Sequence, residues 1–190
     1  ELETLEQRGG GVMTVQDARG TLFDSIVFAE RRPLRWLAGS NRHVRTADFN
    51  GPDEKDAVKQ PVRLTFTYDE DGTIRGFREG KPLGEPIRVS DLQDYSSGDS
   101  EVVLGLRHGK DPGGNRSLKG RIYEATLFDR ALSPEEVGIQ AGQTGGYVSR
   151  EMILDSLTEP QKEKLRSIDQ SLDEVKDQLS GFGPSPENPD

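Results

Sequence analysis

The 190 residues include no cysteine. Disulfides, a zinc–thiolate site, a thiol nucleophile and a haem attached through Cys-x-x-Cys-His are therefore excluded within this chain. Histidine is almost as scarce. His43 and His108 are the only two, neither lies in a Gly-x-Ser-x-Gly setting, and their spacing gives no support to a metal pair. No run approaches the ~18 consecutive apolar residues of a membrane span, and no charged-then-apolar leader resembles a signal peptide. Because the first residue is Glu1, the chain reads as a piece of a longer protein, and a missing leader says nothing about location. Apolar side chains make up only 31%, against about 45–50% in an ordinary domain when glycine is counted, so the core must be economical. Basic groups are outnumbered 25 to 34, a net charge of −9, which argues against a general nucleic-acid binder.

What is abundant is turn chemistry, with 22 glycines and 11 prolines. The clearest strand is Pro61–Tyr68, where Val62, Leu64, Phe66 and Tyr68 alternate with Arg63, Thr65 and Thr67, one apolar face and one polar. Asp71-Gly72 makes the hairpin turn, Thr73–Arg78 returns, and Glu79-Gly80-Lys81-Pro82 turns again. Further strands are expected at Gly11–Gln16, Ser25–Glu30, Leu34–Gly39, Val102–Arg107 and Arg121–Phe128. Short strands at this turn-punctuated spacing predict a mainly β fold, an antiparallel sandwich or jelly roll. The connections 41–60 and 84–100, rich in Asp, Asn, Gly and Ser, are expected on the surface.

Helical signals are confined to the C-terminal part. Ser133 with Pro134 and Glu136 forms a capping box for a short helix, Ser149 is positioned to cap another through Leu157, and Thr158 opens the longest, to about Leu179. Leu165, Ile168, Leu172, Val175 and Leu179 fall at spacings of 3, 4, 3 and 4, an a/d seam of little more than two heptads. This face suits either packing on its own domain or self-association as a coiled-coil start. The expected organisation is a jelly-roll domain over 1–140, a helical extension over 141–180 and a Pro/Gly linker over 181–190. Residues 1–150 carry 21 basic and 24 acidic groups, so the other 40 hold −6 of the −9, and the sandwich itself is nearly neutral.

Leu64–Ile74 with Arg78–Gly84 resembles the central hairpin of laminin-G-like, or concanavalin A-like, jelly-roll domains, and Gly120–Val137 resembles their closing strand and helix cap. A narrower likeness, carried by Gln7–Met13, Phe23–Phe28, Trp36–Asn41 and Gly105–Gly109, is to the laminin-G-like module of large exported proteins of the planctomycete type. There the module sits beside c-type cytochrome domains. The resemblance implies an exported, periplasmic or cell-surface setting, a carbohydrate or neighbouring-domain partner, and no membrane insertion. It also implies one or two strands ahead of Glu1; residues 1–10 supply a remnant of them, or another copy or the chain's own helices shield the edge.

Candidate chemistry is thin. One branch of that superfamily cleaves glycans with two carboxylates flanking the bond, which requires acids alternating on one strand face. Asp69-Glu70-Asp71 is contiguous and lies at a turn, so its members point apart and no catalytic residue is assigned. Asp48, Asn50, Asp53 and Asp56, or Asp111 and Asn115, offer hard oxygen ligands; no cofactor is expected in this chain, with calcium the one metal worth testing. Arginines cluster at 31, 32, 35, 42 and 45 and again at 107, 116 and 121. If the strands ending near Asn41 and Gly109 open on one rim, Trp36, Asn41, Arg42, Arg107 and His108 form a ligand-binding set suited to an anionic sugar or an acidic protein surface, with Trp36 better suited to the core than to a ligand platform. The expected function is a non-catalytic interaction module of a larger exported protein. A structural spacer and a glycan hydrolase are the alternatives.

Overall fold

A computed structural model describes residues 1–111, 113–142 and 157–180. The chain divides into two units, Glu1–Gly146 and Tyr147–Asp190. The first is mainly β, built of two antiparallel sheets, as the alternation predicts.

The larger sheet contains β1 (Gly10–Asp17), β2 (Phe23–Phe28), β3 (Trp36–Ser40), β4 (Ala47–Asp48) and β9 (Ser100–Leu104), in the order β4-β3-β2-β1-β9. The smaller one pairs β5 (Leu64–Tyr68) with β6 (Thr73–Arg78), which also pairs with β7 (Lys81–Pro82) and β8 (Ile87–Arg88). Both hairpin turns fall where glycine demands them. Gly72 has φ +83, and Glu79 with Gly80 has φ +52 and +72, the left-handed pair of a tight hairpin connection.

Register sets the faces. Asp24 opposes Ser40, Ile26 opposes Ala38 and Phe28 opposes Trp36, so these side chains share the inner face. Ser25, Val27, Leu37 and Gly39 share the outer one. A bulge between Gly11 and Thr14 keeps Thr14 and Gln16 outward. Phe28, Trp36, Ala38, Phe49 and Ile74 form the inner core with Leu64, Phe66 and Tyr68 packed against them. Phe49 stands edge-on to Phe66, ring centroids 5.2 Å apart. A Cβ on Gly76 would lie 2.7 Å from the Phe49 ring, so the bare backbone there is what admits the ring.

The 41–60 connection is not the surface loop expected. Phe49 (1% exposed), Glu54 and Ala57 are buried, because Phe49 fills the space over Gly76 and Glu54 completes the polar needs of Trp36. In 84–100, Ile87 and Arg88 join the smaller sheet. The strand expected at Val102–Arg107 ends at Leu104, since Gly105 turns at φ +75.

The largest departure is Arg121–Phe128. It carries the alternating pattern of a strand, yet Ile122–Phe128 makes no backbone–backbone hydrogen bond among the described residues. Tyr123 (62%), Leu127 (59%) and Phe128 (41%) stay exposed. Alternation describes which side chains want burial; it cannot supply the neighbouring strand.

Helix α1 (Pro134–Gln140) has the expected capping box, with the Ser133 hydroxyl accepting from Glu136 N and the Glu136 carboxylate accepting from Ser133 N. Its Val137, with Leu132, covers Phe77 on the outer face of the smaller sheet. The second unit contains α2 (Glu159–Ser180). Thr158 N donates to Gln161 Oε1 at 2.9 Å at its start. Along the expected seam Leu165 is half-buried, while Ile168, Leu172 and Val175 are exposed. The expected helix from Ser149, the side chain of Leu179 and the 181–190 linker lie outside the described residues.

Candidate binding surface

The segment after β9 folds back across the outer face of the larger sheet. A Cβ on Gly11 would lie 2.2 Å from Arg107 Cα, so the absent side chain is what lets this loop seat directly on β1. Beneath it, Thr14 Oγ1 bonds Ser25 Oγ at 2.7 Å and donates toward the Leu106 and Arg107 carbonyls. Gln16 accepts from Gly109 N at 2.7 Å and donates to Glu101 at 2.8 Å. Buried polar groups satisfied in this way fix the loop's position rather than weaken it.

The five residues expected to form one site separate. Trp36 is inward and 4% exposed; its ring packs 4.7 Å from Phe28 and its Nε1 donates to Glu54 Oε2 at 2.8 Å. It serves the core and edges an inner cavity, not a solvent-facing platform. Arg107 lies over Gly9 and Gly11, at the Phe28 end of β2, and is ion-paired with Glu30. Asn41 and Arg42 lie at the opposite end of β3, immediately after Ser40. His108 reaches that same end, because it stacks on Phe23, the first residue of β2, with ring centroids 4.4 Å apart and planes at 13°.

Asn41, Arg42 and His108 thus lie at one end of the larger sheet, and Trp36 and Arg107 lie elsewhere. Arg31, Arg32 and Arg35 belong to the β2–β3 connection, at the far end from Arg42, so the first arginine cluster does not form one patch. Around Phe23 and His108 the rim is made by the β1–β2 and β3–β4 turns, which expose Leu22 (39%) and Val44 (59%). Arg42 and His43 are exposed and hold left-handed backbones, φ +50 and +57, uncommon for side chains of this size. Neither makes a side-chain hydrogen bond or ion pair with a described residue. Asn41 Oδ1 accepts from Arg45 Nη2 at 2.9 Å, which secures the turn from beneath. Burial, then the charges of Arg107 and Arg116, hold the His108 pKa below its ordinary value, so His108 is a neutral ring at pH 7.

Sequence reasoning did not find Phe23 or the buried group beneath the rim. Asp24, facing inward, accepts from Arg45 Nε at 2.9 Å and from the Tyr95 hydroxyl at 2.8 Å. Burial raises the Asp24 carboxyl despite Arg45, and burial pushes the Tyr95 and Tyr68 hydroxyls well above their usual value. The one available signal was Asp24 interrupting the inward side of an apolar strand.

Calcium fits poorly on the residues expected to hold it. Asp53 is paired with Arg35 at 2.8 Å, Asp56 with Lys59 at 3.3 Å, and Asp111 with Arg116 at 3.2 Å; Asp48 accepts from Asn50 N and faces Arg32 at 3.7 Å. Each carboxylate is matched to a cation or an amide, not converged on a shared point. At the acidic turn, Asp69 is bound by Arg75, and the Thr73 side chain, then its amide donating to Asp71 at 2.9 Å, hold the Asp71 carboxyl below its usual value.

Between the sheets lies a cavity of about 790 Å³, with Val12, Val15, Ile26, Leu64, Phe66 and Tyr68 among its apolar walls and Asp24 and Tyr95 among its polar ones. No curated protein and no solved structure matches the chain. A laminin G family model, described as the concanavalin A-like lectin/glucanases superfamily, matches residues 7–138, from Gln7 just ahead of β1 into helix α1. That match covers both sheets and most of the chain and accords with a generic binding or structural module: the chain belongs to the concanavalin A-like lectin/glucanase superfamily.

Proposed function

We propose that this domain is a non-catalytic recognition module that binds an acidic glycan or an acidic protein surface at the rim formed by Arg42, His43 and the Phe23–His108 stack. The observation that carries the reading is the pair Arg42 and His43, exposed on left-handed backbone with no ion pair or side-chain hydrogen bond to a described residue. Most other arginines of the first unit have a partner, as in Arg45–Asp24, Arg35–Asp53 and Arg116–Asp111. A guanidinium with no partner among the described residues, at the same end of the sheet as a stacked aromatic pair, suits an anion carried on a flat or apolar body. Non-catalysis is supported by the acidic turn, where Asp69 and Asp71 are engaged by Arg75, Thr73 and Arg88. Membership of a larger exported protein, with c-type cytochrome neighbours, belongs to the same reading and rests on the likeness of the short segments from Gln7 to Gly109.

The test is binding of the protein to an array of neutral and acidic glycans and to immobilised acidic polypeptide, with and without calcium. Saturable, salt-sensitive binding that falls at least tenfold in Arg42→Ala, with unchanged thermal unfolding, is expected. No saturable binding to any acidic ligand, with tight association to neighbouring domains through another face, would replace recognition by a spacer role. Glycan turnover lost on neutralising one carboxylate would restore the enzyme.

A further inference from the structure

The cavity of about 790 Å³ between the sheets is a slot with two unlike ends. Leu64, Phe66 and Tyr68 line it along β5, and Val15, Ile26 and Trp36 line it from the larger sheet. Asp24 opposes Ser40, and Trp36 lies four residues back along β3, so Asp24 and Trp36 stand ~13 Å apart at ~3.3 Å per residue. Leu64 belongs to the Trp36 end, because it opposes Arg78, and Arg78 and the Trp36 indole share the Glu54 carboxylate. Tyr68 belongs to the other end, which is polar. There Asp24 Oδ1 accepts from Arg45 Nε at 2.9 Å and Oδ2 from the Tyr95 hydroxyl at 2.8 Å, and each oxygen keeps a further lone pair. The Tyr68 hydroxyl makes no hydrogen bond with a described residue. Burial, then the charge of Asp24, raise its pKa, so it stays a neutral donor. Small-ligand pockets of ~300–1,000 Å³ have this composition, apolar walls with a few convergent polar groups, and apolar voids of only ~150 Å³ already take up benzene.

We propose that this slot binds a single-chain apolar alcohol, with its hydroxyl at Asp24 and Tyr68 and its tail running toward Trp36. The head is a neutral hydroxyl because it donates to a remaining lone pair of Asp24 while accepting from Tyr68, which satisfies both. A carboxylate head would meet the buried Asp24 charge at short range. An ammonium head would add a second cation to a carboxylate that Arg45 already neutralises, leaving an unpaired charge in an apolar site. The body is a chain because the slot is long and its walls between the two ends, Val15, Ile26, Leu64 and Phe66, offer no polar side chain. Tyr123 (62% exposed), Leu127 (59%) and Phe128 (41%) line the same cavity and face solvent, and their backbone makes no backbone–backbone hydrogen bond among the described residues, so this segment gives an apolar ligand its way in. The site is separate from the rim of Arg42 and His43, and either can fail without the other.

The test uses Trp36, the single tryptophan of the chain, as the reporter. At pH 7, ω-bromodecanol is expected to quench Trp36 fluorescence saturably, since its hydroxyl at Asp24 places the bromine at the Trp36 end, and decanol is expected to compete. Decanoate and decylamine, which carry the same chain on charged heads, are expected to compete about tenfold more weakly. Tyr68→Phe removes only a hydroxyl that makes no hydrogen bond with a described residue, so thermal unfolding should be unchanged while decanol affinity falls about fivefold. No saturable quenching would overturn the proposal. Equal competition by all three heads, or unchanged decanol affinity in Tyr68→Phe, would overturn it as well, by showing that the chain binds without the polar end. Quenching that weakens as protein concentration rises, with a doubled mass in sedimentation, would assign the slot to a second copy instead.

Discussion

Arg78 grips Glu54 with two nitrogens, Nε to Oε2 at 2.8 Å and Nη2 to Oε1 at 3.0 Å. The Glu54 side chain is fully buried, and it also accepts from the Trp36 indole and from the amides of Lys55, Asp56 and Ala57. One carboxylate thus ties β3, β6 and the 41–60 connection together. Burial alone would raise its pKa, but the hydrogen bonds from Arg78 and Trp36 outweigh this and hold it at about 2, below its usual 4.5.

A carboxyl depressed in the folded state stabilises above its unfolded pKa, and that stability is lost as pH falls through the folded value. The window is therefore about pH 5 down to pH 2, and the loss is about 2–3 kcal/mol. Thermal unfolding followed by circular dichroism should show the midpoint dropping across this window. Glu54→Gln should lower the midpoint at pH 7 and flatten the slope; an unchanged slope would remove Glu54 as its source.

Asp24 and Arg45 behave differently, since both are largely buried, with side chains 10% and 6% exposed. Arg45→Met leaves an unpaired carboxylate beside Tyr95 and should cost about 3–5 kcal/mol in urea unfolding at pH 7. Asp24→Asn added to that variant should recover a large part, because it removes the stranded charge. The raised Asp24 pKa gives the opposite sign to Glu54: its contribution is present at low pH and is lost as pH rises from the unfolded value through the folded one. A double variant no better than Arg45→Met alone would contradict this account.

Both hairpins, the capping box at Ser133 and the outward Thr65 and Thr67 were legible because each depends on neighbours a few residues away. The rim was only half legible. Asn41 and Arg42 come to one end of the sheet through strand register alone, but His108 reaches them by a loop whose path depends on the bare backbone of Gly11, 97 positions away in sequence from His108. Trp36 is ambiguous in the sequence because Glu54, the buried acceptor of its indole N–H, lies on a separate connection. The strand expected at Arg121–Phe128 does not form among the described residues, because a pattern of apolar side chains does not carry pairing.

Gly11 is the point where the loop can be tested. Gly11→Ala places a methyl group 2.2 Å from Arg107 Cα and 2.4 Å from its nitrogen, so the loop must lift from β1. The lift breaks the bonds of Thr14 to the Leu106 and Arg107 carbonyls and leaves its hydroxyl with Ser25 alone, a cost of about 1 kcal/mol. Amide exchange at Arg107 and Leu118, whose N–H groups bond within the loop and to Gly105, should accelerate, while exchange in β5 and β6 should not. Uniform acceleration across both sheets would show that the loop is not a separable layer.

The last prediction concerns charge at the rim. His108 is kept neutral first by burial on Phe23 and then by Arg107 and Arg116, so its NMR titration midpoint should lie below 6.5. A histidine depressed in the folded state stabilises above its unfolded pKa, and that stability is lost as pH falls through the folded one. Phe23→Ala exposes the ring and should raise the midpoint, and Arg116→Ala should raise it less, matching the order of the causes. An acidic ligand seated against His108 would favour the imidazolium, so bound protein should titrate higher than free protein, and binding should tighten as pH falls from 7 to 5. A midpoint that ignores a saturating acidic ligand would place that ligand away from His108 and leave Arg42 and His43 as the contact.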